Sequence, residues 1–176
     1  MLDLFAGLGG ASRAFKARGW EVVTVDNNPA FGCSITADLL TWRPPGSLFG
    51  VDFLWASPPC DEFARESMPW CRTGRPPSLG LVQRVFELVR ELAPRWWVLE
   101  NVRGAQRWIG RAPLHFGPVY LWGYFPRKIR DVGHNFAWKE RLSSAQEARR
   151  AEIPLPISEA FAEAVERDLP AGVARG

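Results

Sequence analysis

The stretch MLDLFAGLGGASRAFKARGWEVVTVD, residues 1–26, decides the fold. Met1–Ala6 is a short apolar run that reads as a strand. It empties into Gly7-Leu8-Gly9-Gly10, where absent side chains permit a tight turn and let a ligand approach the backbone. Ala11–Arg18 predicts a helix packing through Ala11, Ala14, Phe15 and Ala17 and stopping at Gly19. Glu21–Asp26 is rich in β-branched residues and ends on an acid, the pattern of a second strand. Strand, glycine turn, helix and strand make a βαβ unit. The expected fold is therefore α/β and Rossmann-like, a mostly parallel sheet with flanking helices.

Working outward, Val51–Ser57 and Trp96–Glu100 read as further buried strands, the first ended by Pro58-Pro59. Between them, Leu79–Ala93 places apolar residues at helical spacing until Pro94. Leu114–Phe125 is aromatic and strand-like, although glycine and proline interrupt it. Ser158–Leu169 predicts a closing helix with Ser158 as N-cap, preceded by a connector over Arg141–Pro156 and followed by a frayed tail, Pro170–Gly176. A chain of 176 residues fits one domain, here expected over residues 1–169, with a reduced recognition region at about 103–140.

Composition narrows the function less. The formal net charge is +3, and no apolar run reaches the roughly 20 residues of a membrane helix. No charged-then-apolar leader is visible, so secretion is not expected. Cys33, Cys60 and Cys71 lack zinc-like spacing and an even count for disulfides, which suits a reducing cytoplasm and implies no metal site. Arg103, Arg107, Arg111, Arg127, Lys128 and Arg130 are interleaved with Trp108, Tyr120 and Trp122, a composition compatible with nucleic acid or with a solvated face over an aromatic core.

Three strand ends hold the chemistry. Asp26 is placed to take both hydroxyls of a ribose. The glycine turn is neither G-x-G-x-x-G nor a lysine-containing phosphate loop, which favours a nucleoside without a diphosphate over NAD or a nucleoside triphosphate. A turn with no ligand is the alternative. Cys60 follows a buried strand on the proline-stiffened Ser57-Pro58-Pro59-Cys60, where a thiol is held at a fixed position. Its alternative is a small residue filling a gap. Glu100, beginning Glu100-Asn101-Val102 under the bulk of Trp96 and Trp97, is a carboxyl whose pKa burial would raise, unless it caps a helix or pairs with Arg103.

FAGLGG, an acid ending the second strand, PPC with a following Phe, and ENV together resemble the DNA cytosine-5 methyltransferase family in order and spacing. The stretch Glu100–Trp122 looks like the small members of bacterial viruses and prophages, and Glu152–Val165 is similar to the family's closing segment. The resemblance implies S-adenosylmethionine as cofactor and double-stranded DNA as partner. Phe5, Ala6, Gly7, Gly9, Gly10 and Pro59 would line the cofactor pocket, Asp26 would bind the ribose, and Asn27, Asp38 and Leu39 would meet the adenine. Cys60 would attack carbon 6 of a flipped cytosine, with Glu100 as partner acid and Asn101 bracing the loop. Arg65, Arg103, Gln106 and Arg111 would contact DNA.

Two departures matter. Larger members carry a target-recognition domain for which there is little room after Trp122, so readout would fall to short loops such as Met68–Pro77 and Tyr124–Trp138. The family's glutamine–arginine–arginine strand is replaced by Gly117-Pro118-Val119-Tyr120-Leu121-Trp122, with Gln106 and Arg111 as the nearest stand-ins. An RNA cytosine-5 methyltransferase and a catalytically silent DNA-binding relative are the competing readings. Self-protection against a nuclease and control of expression leave the same sequence signature.

Overall fold

A computed structural model describes residues 1–64, 75–133 and 152–170. Among these, seven strands form one sheet in the order β3-β2-β1-β4-β5-β7-β6. They are β1 (Leu2–Leu4), β2 (Val23–Asp26), β3 (Ile35–Thr36), β4 (Phe53–Ala56), β5 (Trp96–Asn101), β6 (Leu114–Phe116) and β7 (Val119–Tyr124). The first five pair in parallel, whereas β7 is antiparallel to both β5 and β6. The order 3-2-1-4-5 is that of a doubly wound Rossmann sheet, with a hairpin at the edge where a sixth parallel strand would otherwise follow. The expected α/β, Rossmann-like fold is therefore present.

The described α-helices are α1 (Arg13–Ala17), α2 (Asp61–Ala64), α3 (Gly80–Leu92), α4 (Gln106–Ile109) and α5 (Leu155–Asp168), with 3-10 turns at Pro29–Phe31, Gly46–Leu48 and Arg103–Ala105. Parallel strands buried on both faces need apolar cover on each side. On one face Ala14 and Phe15 of α1 join Ile157, Phe161 and Val165 of α5 over Phe53, Trp55 and Val98. On the other, Val82, Val85, Leu88 and Leu92 of α3 cover Leu2, Leu4, Leu54 and Leu99. Helix α3 ends where Ala93 adopts φ 46°, a left-handed cap ahead of Pro94.

Two expectations are corrected. Leu114–Phe125 is not one interrupted strand but a hairpin, because Gly117, at φ 55°, and Pro118 turn the chain between β6 and β7. Ser158 is not an N-cap. The closing helix already starts at Leu155 after Pro154, since Pro156 fits the first turn, where its missing N–H costs nothing. The Ser158 hydroxyl, 0% exposed, instead donates to Ala11 O at 2.6 Å and accepts from Ala14 N at 3.1 Å, stapling α5 to the entry of α1. Of the expected connector, residues 141–151 lie outside the described residues, as do residues 171–176 of the tail. Among the described residues no helix is long and apolar enough to cross a membrane.

Candidate active site

The carboxyl ends of β1, β2, β4 and β5 open on a cavity of about 1020 Å³, where open α/β sheets bind ligands. Its first wall is the turn after β1. Phe5 sits at φ 58° and Gly7 at φ 51°. For a non-glycine residue such a backbone costs on the order of 1–2 kcal/mol, and the strain marks a position fixed by its surroundings. Ala6 N bonds Val25 O at 3.1 Å and Gly9 N bonds Ala6 O at 2.7 Å, which closes the turn. A Cβ on Gly7 would meet nothing within 4 Å, so its missing side chain leaves open space. At Gly10 the reason for glycine differs. A Cβ there would approach Glu152 Cγ to 2.5 Å and the Ile153 backbone to 2.7 Å, so the segment before α5 lies directly on the turn. Arg13 and Glu152 form an ion pair across this seam.

Asp26 holds the turn from the next strand. One carboxylate oxygen accepts from Gly7 N at 3.0 Å and the other from Asn28 N at 2.9 Å. An ionised carboxylate accepts about four hydrogen bonds, so Asp26 keeps lone pairs for a ligand while bracing the loop. The Asp38 carboxylate accepts from Leu40 N at 3.0 Å, shaping a turn that brings Asp38 and Leu39 to the same cavity. Arg84 of α3 ties this turn down, donating to Leu39 O at 3.2 Å and Trp42 O at 2.8 Å.

Cys60 and Glu100 line the opposite wall. The Cys60 carbonyl caps α2, accepting from Phe63 N and Ala64 N, both at 2.9 Å. Burial pushes its thiol up to about 11, with the Glu100 and Asp61 carboxylates adding to the effect, so the resting side chain is a thiol. Burial likewise raises Glu100 to about 7, while a hydrogen bond from Ser57 pulls it back. The direction matches the expectation, and burial is its largest cause. Asn101 is fully buried and donates through Nδ2 to Pro58 O at 3.0 Å, tying the Pro58-Pro59-Cys60 loop to β5.

Of the cofactor residues expected from sequence, Phe5, Ala6, Gly7, Gly10, Asp26, Asn27, Asp38, Leu39 and Pro59 line the cavity together. Gly9 does not; at φ 76° it makes the turn. Arg103, Gln106 and Arg111 are not on the wall either. Gln106 Oε1 accepts from Ala112 N at 3.2 Å, and Arg103 and Arg111 are exposed. The hairpin presents Pro118 and Val119 to the cavity instead. Arg130, part of the basic stretch, pairs with Glu163 of α5 at 3.1 Å. Arg65 and Cys71 lie outside the described residues, as do residues 68–74 and 134–138 of the two candidate readout loops.

Sequence reasoning missed Asp3, although an acid in the middle of an apolar strand is a visible signal. Asp3 is 1% exposed and lines the cavity, and its Oδ2 has no hydrogen-bond partner. Burial raises it to about 7, against the Ser12 hydrogen bond and Lys16, which lower it. A buried acceptor left unpaired is costly. Phe31, on the turn after β2, was also missed and gives the cavity an aromatic wall.

No protein-family model matches the chain. It is 31% identical over 119 residues to the type II methyltransferase M.DdeI of Desulfomicrobium norvegicum, covering 59% of this chain and 28% of that one. It is 32% identical over 119 residues to the Frog virus 3 protein named "Probable DNA (cytosine-5)-methyltransferase", covering 57% and 52%. The type II methyltransferase M.AquIA of a Picosynechococcus species shares 28% identity over 128 residues, covering 61% and 50%. The chain thus spans about half or less of the length of the curated relatives it matches.

Proposed function

We propose that this chain, related in sequence to the DNA cytosine-5 methyltransferases, transfers a methyl group from S-adenosylmethionine to carbon 5 of a cytosine in DNA. One observation carries the reading: the Cys60 thiol and the Glu100 carboxyl, at adjacent strand ends, share a single cavity with the glycine turn.

The residues present fit the cofactor. The Asp26 carboxylate suits a ribose diol, and Phe5, Phe31 and Leu39 offer apolar and aromatic surface to an adenine, with Asn27 and Asp38 as its polar neighbours. The Asp3 carboxyl, on the cavity lining, suits the ammonium of a methionine moiety. When bound, the cofactor supplies an electrophilic methyl group on a sulfonium.

Carbon 5 of cytosine is a weak nucleophile until a thiolate adds to carbon 6, and Cys60 is the thiol available in the cavity. Burial and neighbouring carboxylates hold Cys60 as the thiol at neutral pH, so its proton passes to solvent as the sulfur bonds to carbon 6. Glu100, at about 7, is partly protonated near neutrality. Its proton can be given to the ring nitrogen and its free oxygen can accept from the exocyclic amine, which stabilises the charge that addition creates. Once carbon 5 carries the methyl group, its proton passes to solvent, the ring double bond re-forms and the Cys60 sulfur leaves as a thiolate. A stacked base cannot reach Cys60 in this cavity, so the cytosine is flipped out, at a cost of a few kcal/mol.

The test is to quantify methylated nucleosides by mass spectrometry in DNA and RNA from cells expressing the wild type or Cys60→Ala. 5-Methyldeoxycytidine only with the wild type is the expected result, with a loss in the variant of roughly a thousandfold or more. 5-Methylcytidine in RNA would move the substrate to RNA. Neither product, with cofactor binding retained, would make the protein a silent binding module.

A further inference from the structure

Resting on the function just proposed, we infer that Gly104 is a positioning residue for Cys60. Only the absence of a side chain there lets the Phe63 carbonyl seat against the exit of β5, closing the second of two holds on the cysteine loop. The first hold lies before the cysteine. Val102 N donates to Asn101 Oδ1 at 2.9 Å, which orients the buried amide so that Nδ2 donates to Pro58 O at 3.0 Å.

The second hold lies after it. Cys60 O accepts from Phe63 N and Ala64 N, both at 2.9 Å, so residue 60 and the turn of α2 move as one piece. That turn packs on the 3-10 turn Arg103–Ala105, itself closed by Ala105 N donating to Val102 O at 3.0 Å. A Cβ on Gly104 would fall on the Phe63 carbonyl oxygen, with the carbonyl carbon at 3.1 Å. Helix α2 has no easy retreat, because the Phe63 ring is 3% exposed and belongs to the same apolar cluster as Leu99 and Ala105.

Space, and not backbone conformation, is what requires glycine here. Gly104 is not among the residues with positive φ, so its backbone suits any L-residue. In a helical turn alanine is favoured over glycine, and an open site would gain from the change. The obstacle at Gly104 is a carbonyl of the main chain, which cannot swing aside as a side-chain tip does. Displacing it would move Cys60 while Asn101 keeps Pro58 and β5 in place, so the thiol would shift relative to Glu100. Neither Phe63 nor Gly104 lines the cavity, and the cofactor wall would stay intact.

The experiment compares wild type, Gly104→Ala and the control Gly46→Ala. Gly46 also lies in a 3-10 turn without positive φ, but an added Cβ there meets nothing within 4 Å. Alkylation of Cys60 by iodoacetamide is followed by peptide mass spectrometry, beside single-turnover methyl transfer and cofactor binding. In Gly104→Ala the thiol is pushed from its buried seat, so its alkylation should quicken about threefold or more. Methyl transfer should slow about tenfold or more, with the KM for DNA and the cofactor dissociation constant within about twofold. Gly46→Ala should match wild type throughout. A folded Gly104→Ala with wild-type alkylation of Cys60 overturns the inference, whatever the transfer rate does. Altered alkylation in a protein whose wild type transfers no methyl group keeps the hold and rejects the proposed function instead. If Gly104→Ala does not fold, Phe63→Leu is added to give α2 room, and the double variant is compared with Phe63→Leu alone. Equal alkylation in those two, or a double variant that still does not fold, overturns the positioning role.

Discussion

At the β1–β2 end of the sheet, the cavity wall is made by backbone: a turn with φ 58° at Phe5 and 51° at Gly7, locked by the Asp26 carboxylate and pressed by Ile153. At the β6–β7 end, the wall is two apolar side chains, Pro118 and Val119, and the expected polar residues face elsewhere. The first region has a backbone shape fixed by its own contacts. The second closes the site without offering hydrogen-bonding side chains from the hairpin. Under the proposed function, the cofactor would meet a shaped backbone turn, whereas the hairpin would offer a base only apolar contact.

The contrast breaks most readily at Gly10. Gly10→Ala pushes a Cβ into the Ile153 backbone, which cannot swing away as a side-chain tip could. Overpacking of this kind costs about 1–3 kcal/mol, read as a lower melting temperature, and the displaced Glu152–Ile153 segment should weaken cofactor binding as well. An unchanged melting temperature would mean that the seam between the turn and α5 is loose.

Asp3→Asn sharpens the contrast through two effects of opposite sign. Because Asp3 titrates at about 7 when folded against 3.8 as an ordinary aspartate, the folded state binds the extra proton between those values. Its unfavourable contribution grows as pH rises through that window and is complete above it. The variant should therefore be more stable than wild type at pH 8, by a few kcal/mol at most, and nearly equal at pH 4. Cofactor binding at pH 8 should weaken about tenfold or more, as expected for losing a charged hydrogen bond. Calorimetry gives both numbers, and a variant that binds as well as wild type would remove Asp3 from the cofactor site.

The smallest effect belongs to the other region. Arg103→Ala and Arg111→Ala should leave the cofactor dissociation constant within about twofold, since neither side chain reaches the cavity wall. Each should reduce the salt dependence of DNA binding by about one ion if it meets a phosphate. A large loss of cofactor affinity in either variant would mean that the two regions are coupled.

The opening βαβ unit, the turn after β1 and the placement of Asp26, Cys60 and Glu100 at strand ends were legible in the sequence, whereas the order of strands and the short β3 were not. Each legible feature is a local event: a run of apolar residues, then a residue type that terminates it. Asn101 as a brace of the loop was implied by the family resemblance alone, and its Nδ2 donates to Pro58 O at 3.0 Å. The misreadings share the opposite property. Ser158 carries a capping side chain, but its hydroxyl is taken by Ala11 and Ala14, some 145 positions away in the chain. Gln106 and Arg111 fall near the right place in the sequence, yet the hairpin that reaches the cavity is turned by Gly117 and Pro118, and it presents Pro118 and Val119 there.

By itself, then, the sequence determined the α/β class, the parallel core and the chemical groups on offer, because periodicity and chain-breaking residues act over a few positions. Only the tertiary structure decided what those groups are in place. Burial holds Cys60 as a neutral thiol and raises Asp3 and Glu100 to about 7. Burial and hydrogen bonding depend on which strands lie side by side, and register across β4 and β5 brings together residues more than forty positions apart.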